Sequence, residues 1–228
     1  MVSIIVPALN EASQIGDTLR ALQALEGEKE ILVVDGGSED QTVEVAVRAG
    51  VSVLQSARGR GAQQHAGALN AHGNVFWFVH ADTIPPPHAI SEIVGALNDS
   101  SVVAGNFGLL FHGDSRAARQ LTAIYPALRW LNLCYGDSGI FVRRTVYDAI
   151  GGFRPFAIFE DLDLLKRLRK AGRFVHLNTR IVTSSRRFEN RNFAVMWAHW
   201  TVLQILYWAG VHPNVLARWY RQARRSSY

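Results

Sequence analysis

The chain has 228 residues, of which 48% are hydrophobic and 19% are charged, and it has one cysteine and a formal net charge of +5 at pH 7. The composition argues against a disordered chain, and a single cysteine, Cys134, excludes an intramolecular disulfide and a cysteine zinc cluster. The length suffices for one α/β domain, and the basic balance favours anionic partners such as phosphates, nucleic acid or lipid head groups.

Strands and helices alternate in the first half of the sequence. Short runs of apolar, β-branched residues predict buried strands over residues 2–6, 30–34, 51–54 and 75–79. Helical spacing predicts helices over residues 15–25, 40–49 and 60–71. Asn10 is expected to cap the first helix. This alternation predicts an α/β fold with one mostly parallel sheet flanked by helices.

The second half is less regular. We expect a helix from Pro87 through Leu97, one or two strands within 102–111, and a helix over 115–133. The remaining predicted elements are a strand over 139–143, an amphipathic helix over 160–171, short strands over 174–177 and 181–184, a long apolar helix over 193–211 and a basic terminal helix. The N-terminus indicates a first strand and not a signal peptide, so a cytoplasmic location is expected.

Polar residues follow three of the first four predicted strands. The first strand ends in Pro7-Ala8-Leu-Asn10-Glu11, the second in Asp35-Gly36-Gly37-Ser38 and the fourth in His80-Ala-Asp82. Because parallel strands bind ligands outside their carboxyl ends, these residues are expected along one rim. The chain lacks the glycine patterns of a dinucleotide-binding Rossmann site and of a P-loop.

Two glycine-containing turns on this rim suit a nucleotide. The Asp35 carboxylate can accept an N–H of a nucleobase or a ribose hydroxyl, or the segment is a plain turn in which Asp40 caps a helix. Arg58-Gly-Arg60-Gly61 can bring two guanidinium groups and bare backbone amides to an anion, or it is an exposed turn.

Asp82 is the main candidate for a metal ligand. A carboxylate at the mouth of an apolar strand can hold Mg²⁺ or Mn²⁺ while phosphate and water complete the coordination. The alternative is a turn aspartate. His80 is a second candidate ligand, although a histidine satisfied by the protein is the favoured interpretation.

Glu160 and Asp161 open the predicted helix over 160–171 and form the candidate catalytic pair. One carboxylate can be a general base for an acceptor hydroxyl, or both simply complement the helix dipole. Asp161 and Asp163 cannot both face one point, because they lie two residues apart on a helix. Arg186-Arg187 can grip a diphosphate or form a surface pair.

Taken together, these segments resemble glycosyltransferase family 2, the inverting enzymes with the GT-A fold. The resemblance covers about residues 2–190, in order. It rests on residues 3–11, 33–38, His80-Ala-Asp82 in the place of the D-x-D metal motif, 136–144, 151–153 and Glu160-Asp161. Residues 57–63, 78–83 and 207–213 further resemble the small stand-alone subfamily labelled with arsenosugar biosynthesis. His80 departs from the family pattern, which has aspartate there.

The resemblance implies one GT-A domain. Residues 1–112 would bind the nucleotide sugar, 113–190 would carry acceptor and catalytic residues, and 191–228 would form C-terminal helices. A UDP-sugar donor is expected, held by Pro7, Ala8, Asn10, Glu11, the Asp35–Ser38 turn, Arg58, Gly61, Asp82, Arg186 and Arg187. Gly136 and Asp137 would contact the hydroxyl acceptor. Asp161 would be the base of a hexosyltransferase-type reaction, with Mg²⁺ or Mn²⁺ on Asp82.

Two other functions stay open. A nucleotidyltransferase would require a glycine- and lysine-rich loop after the first strand, where Ala8-Leu-Asn-Glu11 stands. A non-catalytic protein on a membrane surface is the second, because residues 192–217 lack Asp, Glu, Lys and Arg and a basic tail follows. The same helix can instead cover the core or form a homodimer contact. Nucleic-acid binding has only the basic charge in its favour.

Overall fold

A mixed β-sheet forms the centre of the computed structural model, which describes residues 1–113, 116–130, 136–184 and 193–225. The strands are β1 (Val2–Ala8), β2 (Lys29–Asp35), β3 (Ser52–Gln55), β4 (Val75–Phe78), β5 (Thr83–Ile84), β6 (Val102–His112), β7 (Phe141–Arg143) and β8 (Arg173–Ser184). The helices are α1 (Ile15–Gln23), α2 (Thr42–Arg48), α3 (Arg60–Asn70), α4 (Ala89–Leu97), α5 (Arg116–Trp130), α6 (Arg144–Ala149), α7 (Glu160–Ala171), α8 (Phe193–Trp208) and α9 (Pro213–Arg225). Cys134, Arg186 and Arg187 lie outside the described residues.

The mostly parallel sheet predicted from the alternation of elements is confirmed. Over the described residues the strand order is β3-β2-β1-β4-β7-β6-β8-β5. β1 pairs in parallel with β2 and β4, β2 with β3, and β6 with β8, whereas β7 and β5 run antiparallel to their neighbours. Ala8 pairs with Asp35, and Asp35 with Gln55, so the carboxyl ends of the first three strands lie at one edge.

The second half departs from the prediction at several points. The runs predicted as two short strands, 174–177 and 181–184, belong to the single strand β8. β8 pairs with β6 along its length, and a register shift between Asn106 and Gly108 takes up the residues between the two runs. Helix α4 begins at Ala89, two residues after Pro87. β5 and α6 are too short to carry a recognisable sequence period.

Large apolar side chains fill both faces of the sheet. Because successive strand residues point to opposite faces, Trp77 packs with Phe107 on one face, and Phe76 and Phe78 pack against Tyr147 on the other. A third cluster attaches α8 and α9 to the start of α7 through Phe159, Leu203 and Leu216. None of the helices in the described part of the chain combines the length and the apolar character needed to cross a bilayer.

A buried amide joins the first two strands to helix α3. Gln63 is 4% exposed, and its Nε2 donates to the carbonyl oxygens of Ala8, at 2.7 Å, and Val34, at 2.8 Å. These carbonyls lie at the carboxyl ends of β1 and β2. Gln63 therefore fixes α3 against the edge of the sheet at which the polar strand ends gather.

Replacing Gln63 with leucine is expected to lower the free energy of unfolding by about 1–3 kcal/mol, because two buried carbonyls each lose a donor. The measurement is the midpoint of urea unfolding, with an unchanged m-value. Gln41→Leu is the matched control: this glutamine is exposed and makes no side-chain cap bond to α2, so its change should stay within about 0.5 kcal/mol. Equal midpoints for the two variants would contradict the prediction.

Candidate active site

A cleft with a volume of about 660 Å³ opens beside the carboxyl ends of β1 and β4. The predicted site residues that line it are Pro7, Ala8, Glu11, Arg58, His80, Asp82, Gly136, Asp137, Glu160 and Asp161. The other residues that line it are Leu9, Gly59, Arg60, Gln63, Ala81, Phe111, Leu121, Tyr125, Ala157, Ile158, Phe159, Thr183, Ser184, Trp197, Trp200 and Tyr220. Segments far apart in the sequence therefore converge on one cavity.

Asn10 ties two of the predicted loops together. The expectation that it caps the first helix is wrong, because α1 begins at Ile15 with Gln14 in the cap position. Asn10 has a left-handed backbone (φ +55°), which asparagine tolerates better than most residues. Its Oδ1 accepts the N–H of Glu39 at 2.8 Å, and its own N–H donates to Ser38 Oγ at 2.9 Å.

Asp35 uses its carboxylate to shape its own turn. It is 1% exposed, and its Oδ2 accepts the N–H groups of Gly37, at 2.9 Å, and Ser38, at 3.0 Å. Gly37 has φ +87°, which favours glycine, and the N–H of Gly36 donates to Ala8. Asp35 is thus at the predicted edge, adjoining the cleft-lining Ala8, but it is not itself among the residues that line the cleft.

Arg60 lies among carboxylates rather than in an exposed turn. Its Nη1 is 3.5 Å from Oε1 of Glu160, which is buried. Burial acts to lower the pKa of Arg60, but nearby negative charges outweigh that effect and raise it. These charges belong to Glu160, Asp161, Asp137 and Asp82. Acidic groups from three separate segments therefore surround one guanidinium.

Gly61 allows helix α3 to approach helix α7. A Cβ at this position would lie 2.9 Å from the carbonyl oxygen of Arg154 and 3.1 Å from Cβ of Glu160. Gly61 is buried and is not among the residues that line the cleft. Because Gly61 has no side chain, Arg60 can lie next to Glu160. Gly61 therefore contributes to the site through packing.

His80 and Asp82 follow β4 and lie beside the turn at Gly136. A Cβ on Gly136 would be 3.6 Å from Nε2 of His80 and 3.4 Å from Oδ2 of Asp161. Among the residues that the structure describes, no group of three or more His, Cys, Asp or Glu side chains is placed to hold a metal ion. A cation on Asp82 would therefore need most of its ligands from a bound phosphate and water.

Asp161 is held at the start of α7 with its carboxylate toward the cleft. Its Oδ2 accepts the N–H of Gly136 at 2.7 Å, and its Oδ1 accepts that of Leu162 at 2.8 Å. Asp163 diverges from it, as the helical spacing predicts, and forms ion pairs with Arg154, at 3.2 Å, and Arg167, at 2.6 Å. Asp161 is therefore the carboxylate of the two that can meet a ligand.

Buried polar side chains support the turn that carries Gly136 and Asp137. Asn106, inside β6, donates through Nδ2 to Ser138 Oγ at 2.8 Å, and its Oδ1 is 2.7 Å from Nδ1 of His176. Burial and the nearby cations of Arg129 and Arg169 lower the pKa of His176 to about 4. Asn106 is not among the predicted site residues, although a lone amide within an apolar strand is a usable signal.

Three aromatic side chains, Trp197, Trp200 and Tyr220, also line the cleft and are called the aromatic wall below. The rings of Trp200 and Tyr220 lie 5.1 Å apart between centroids, and Trp200 lies 5.8 Å from Phe159. Helices α8 and α9 supply these side chains. Their apolar character is visible in the sequence, but their place at the cleft is not.

The family model of Glycosyl transferase family 2 matches residues 3–161, more than half of the chain. The chain belongs to glycosyltransferase family 2. Probable glycosyltransferase YdaM of Bacillus subtilis is 23% identical over 86% of this chain and 52% of its own length. Beta-monoglucosyldiacylglycerol synthase of Synechocystis is 30% identical over 73% of this chain and 40% of its own. The family 2 chain thus spans about half the length of these curated relatives.

Solved structures show that this family 2 chain has the GT-A fold. TarS of S. aureus matches with a TM-score of 0.66 and 17% identity, over 81% of this chain and 60% of that one. Glucosyl-3-phosphoglycerate synthase of Mycobacterium tuberculosis, in complex with Mn²⁺, UDP and glucosyl-3-phosphoglycerate, matches with a TM-score of 0.62 and 22% identity, over 87% and 75%.

Proposed function

We propose that the family 2 chain moves a sugar from a nucleoside diphosphate, with UDP as the expected nucleotide, to a hydroxyl acceptor with inversion at the anomeric carbon. The observation that carries the proposal is the convergence of Asp82, Asp137, Glu160 and Asp161 around Arg60 in one cleft. Such a site can hold a diphosphate through a cation and still present a carboxylate to an acceptor.

The donor side is built from the strand ends. Pro7, Ala8 and Glu11 line the cleft, and the Asp35–Ser38 turn adjoins them through the bond from Gly36 to Ala8. Arg58, two residues before the start of α3, can donate hydrogen bonds to the ribose or pair its charge with a phosphate. UDP is the nucleotide in the M. tuberculosis complex, and a mannosyltransferase of Pyrobaculum calidifontis was solved with GDP-mannose and Mn²⁺. These complexes support a nucleotide sugar here, with UDP to be tested against GDP.

The residues after β4 fit a divalent cation. Asp82 offers carboxylate oxygen and His80 offers imidazole nitrogen, a donor set compatible with Mg²⁺ or Mn²⁺. A cation bound there would neutralise charge on the leaving diphosphate, so that no general acid would be required. Asp82 would hold it, with His80 as the second candidate.

Asp161 is placed to act as the general base. Two backbone N–H groups hold its carboxylate, and within the described part of the chain Asp161 forms no ion pair like the one between Arg60 and Glu160. The acceptor oxygen attacks the anomeric carbon from the face opposite the diphosphate, the bond to the leaving phosphate oxygen breaks, and the hydroxyl proton passes to Asp161. Glu160 orients Arg60 through their ion pair, so Glu160 acts by positioning that side chain and not as the base.

The acceptor is expected between Asp137 and the aromatic wall. Gly136 uses its N–H to hold Asp161, and therefore its contribution to acceptor binding is indirect. The three-part division of the chain stays a prediction, although the cleft draws residues from all three parts. The cytoplasmic location, the membrane contact and the homodimer also stay predictions.

A screen of nucleotide sugars for metal-dependent thermal stabilisation tests the proposal. UDP-glucose, UDP-N-acetylglucosamine and GDP-mannose would be compared with Mn²⁺, with Mg²⁺ and with EDTA. A donor at 100 times its Kd adds about 2.7 kcal/mol, which corresponds to a Tm rise of about 5–10 °C for a chain of this size. Stabilisation by a nucleoside triphosphate, with release of pyrophosphate from that triphosphate when a sugar phosphate is added, would support the nucleotidyltransferase instead.

A further inference from the structure

Helix α8 is apolar on both of its faces. Trp200, Leu203 and Tyr207 face the protein, where they pack with Phe159 or line the cleft. The opposite side carries an exposed apolar stripe at intervals of three or four residues: Val195, Ala198, Val202, Ile205 and Trp208. Val195 is 65% exposed and Trp208 60%. A helix that is hydrophobic all round is normally buried on every side. The exposed stripe is therefore expected to bind a protein or a membrane surface.

Helix α9, which packs on α8, carries a second set of exposed residues. α9 packs against α8 through Leu216 and Leu203, and it exposes Val215, Arg218 and Trp219. Tryptophan combines an apolar ring with a polar N–H, a pairing suited to a boundary between apolar and aqueous surroundings. The exposed stripe of α8 and these three residues of α9 are together called the outer face below.

The charge of the C-terminal segment identifies the kind of partner. No Asp or Glu occurs after Glu189, whereas five arginines do: Arg191, Arg218, Arg221, Arg224 and Arg225. A second copy of the chain would bring an equally basic segment to the contact, whereas an anionic surface would neutralise it. A segment whose only charged residues are arginines, and which is otherwise rich in apolar side chains, has the composition of helices that lie in the interface of an anionic bilayer.

We infer that the outer face of α8 and α9 docks on anionic phospholipid, with the helices parallel to the bilayer and their apolar residues at the boundary between head groups and acyl chains. α8 has 16 residues, so it is only about 24 Å long and does not match a hydrocarbon core of about 30 Å. The docking rests on the outer face alone and does not require the proposed transferase activity.

Vesicle flotation of the full chain, without nucleotide or acceptor, tests the inference. The chain is expected to float with vesicles of phosphatidylcholine mixed with phosphatidylglycerol, to stay behind with phosphatidylcholine alone, and to be released by added salt. Val202→Glu should weaken partitioning about tenfold or more, because it places a charge on the stripe. Arg218→Gln should weaken it about fivefold, the effect of one arginine near an anionic surface.

Val47→Glu is the matched control, since Val47 is 60% exposed on helix α2, in a separate part of the fold. Equal loss in V47E and V202E, or flotation with neither kind of vesicle, would overturn the inference. A dimer in light scattering that V202E dissociates, without any flotation, would assign the outer face to a second copy. The thermal shift with donor separates this failure from failure of the proposed function, because it does not depend on vesicles.

Discussion

Replacing Asp161 with asparagine is expected to reduce sugar transfer by about 10²–10⁴-fold, the usual contribution of a general base, while nucleotide binding persists. Asparagine has the same shape, and its remaining oxygen can still accept the N–H of Gly136. It cannot take a proton from the acceptor hydroxyl. Two quantities are measured: the turnover rate at saturating donor, which should fall, and the thermal shift with donor and Mn²⁺, which should remain.

Asp163→Asn is the matched control for this variant. Asp163 lies on the same helix, two residues away, and its carboxylate pairs with Arg154 and Arg167. Its replacement should lower Tm but preserve turnover when both variants are assayed well below their unfolding temperatures. Parental turnover in D161N, or an equal loss of turnover in D163N, would remove Asp161 from the role of base.

Replacing Asp82 with asparagine is expected to abolish the metal-dependent part of donor binding. Asp82 is the one carboxylate of the segment that follows β4, and the described residues offer no cluster of three ligands that could retain the ion. The expected Tm rise of about 5–10 °C on adding donor with Mn²⁺ should shrink to the value found with EDTA. Turnover should fall with it, because the charge of the leaving diphosphate is no longer neutralised.

Asp17→Asn controls for the loss of one negative charge. Asp17 is exposed on α1 and pairs with Arg20 at the surface, away from the cleft, so both the thermal shift and the turnover should be unchanged. A metal-dependent shift of parental size in D82N would show that the cation binds elsewhere. Separately, comparison of the thermal shifts with Mn²⁺ and with Mg²⁺ in the parent chain would identify the ion that supports donor binding better.

The sequence predicts the sheet well because its main signal is local. Runs such as 2–6 and 75–79 are rich in β-branched or aromatic residues, and each corresponds to a strand in the structure. Helical spacing alone also separates Asp161 from Asp163. The prediction fails for β5, because two residues are too few to show a pattern. It also fails for β8, because the register shift that makes 173–184 one strand depends on pairing with β6, which is distant in the sequence.

The site is harder to predict, because its bonds join residues far apart in the chain. Asparagine is a common helix-capping residue, but the Oδ1 of Asn10 accepts a hydrogen bond from the N–H of Glu39, 29 residues away. The partner of Asp161 is Gly136, 25 residues earlier. Residue identities along the rim could be predicted from strand ends, whereas the aromatic wall could not, since it depends on how α8 and α9 fold back over the cleft.

The aromatic wall lies outside the stretch that matches the family. Asp82 and Asp161, proposed for metal and base, fall within residues 3–161, whereas Trp197, Trp200 and Tyr220 come after it. On the proposed function, the aromatic part of the surface that meets the incoming alcohol is encoded in a separate stretch of the gene from Asp137 and the machinery of transfer. Mutations that alter which alcohol is accepted can therefore accumulate in the tail while the chemical step is conserved.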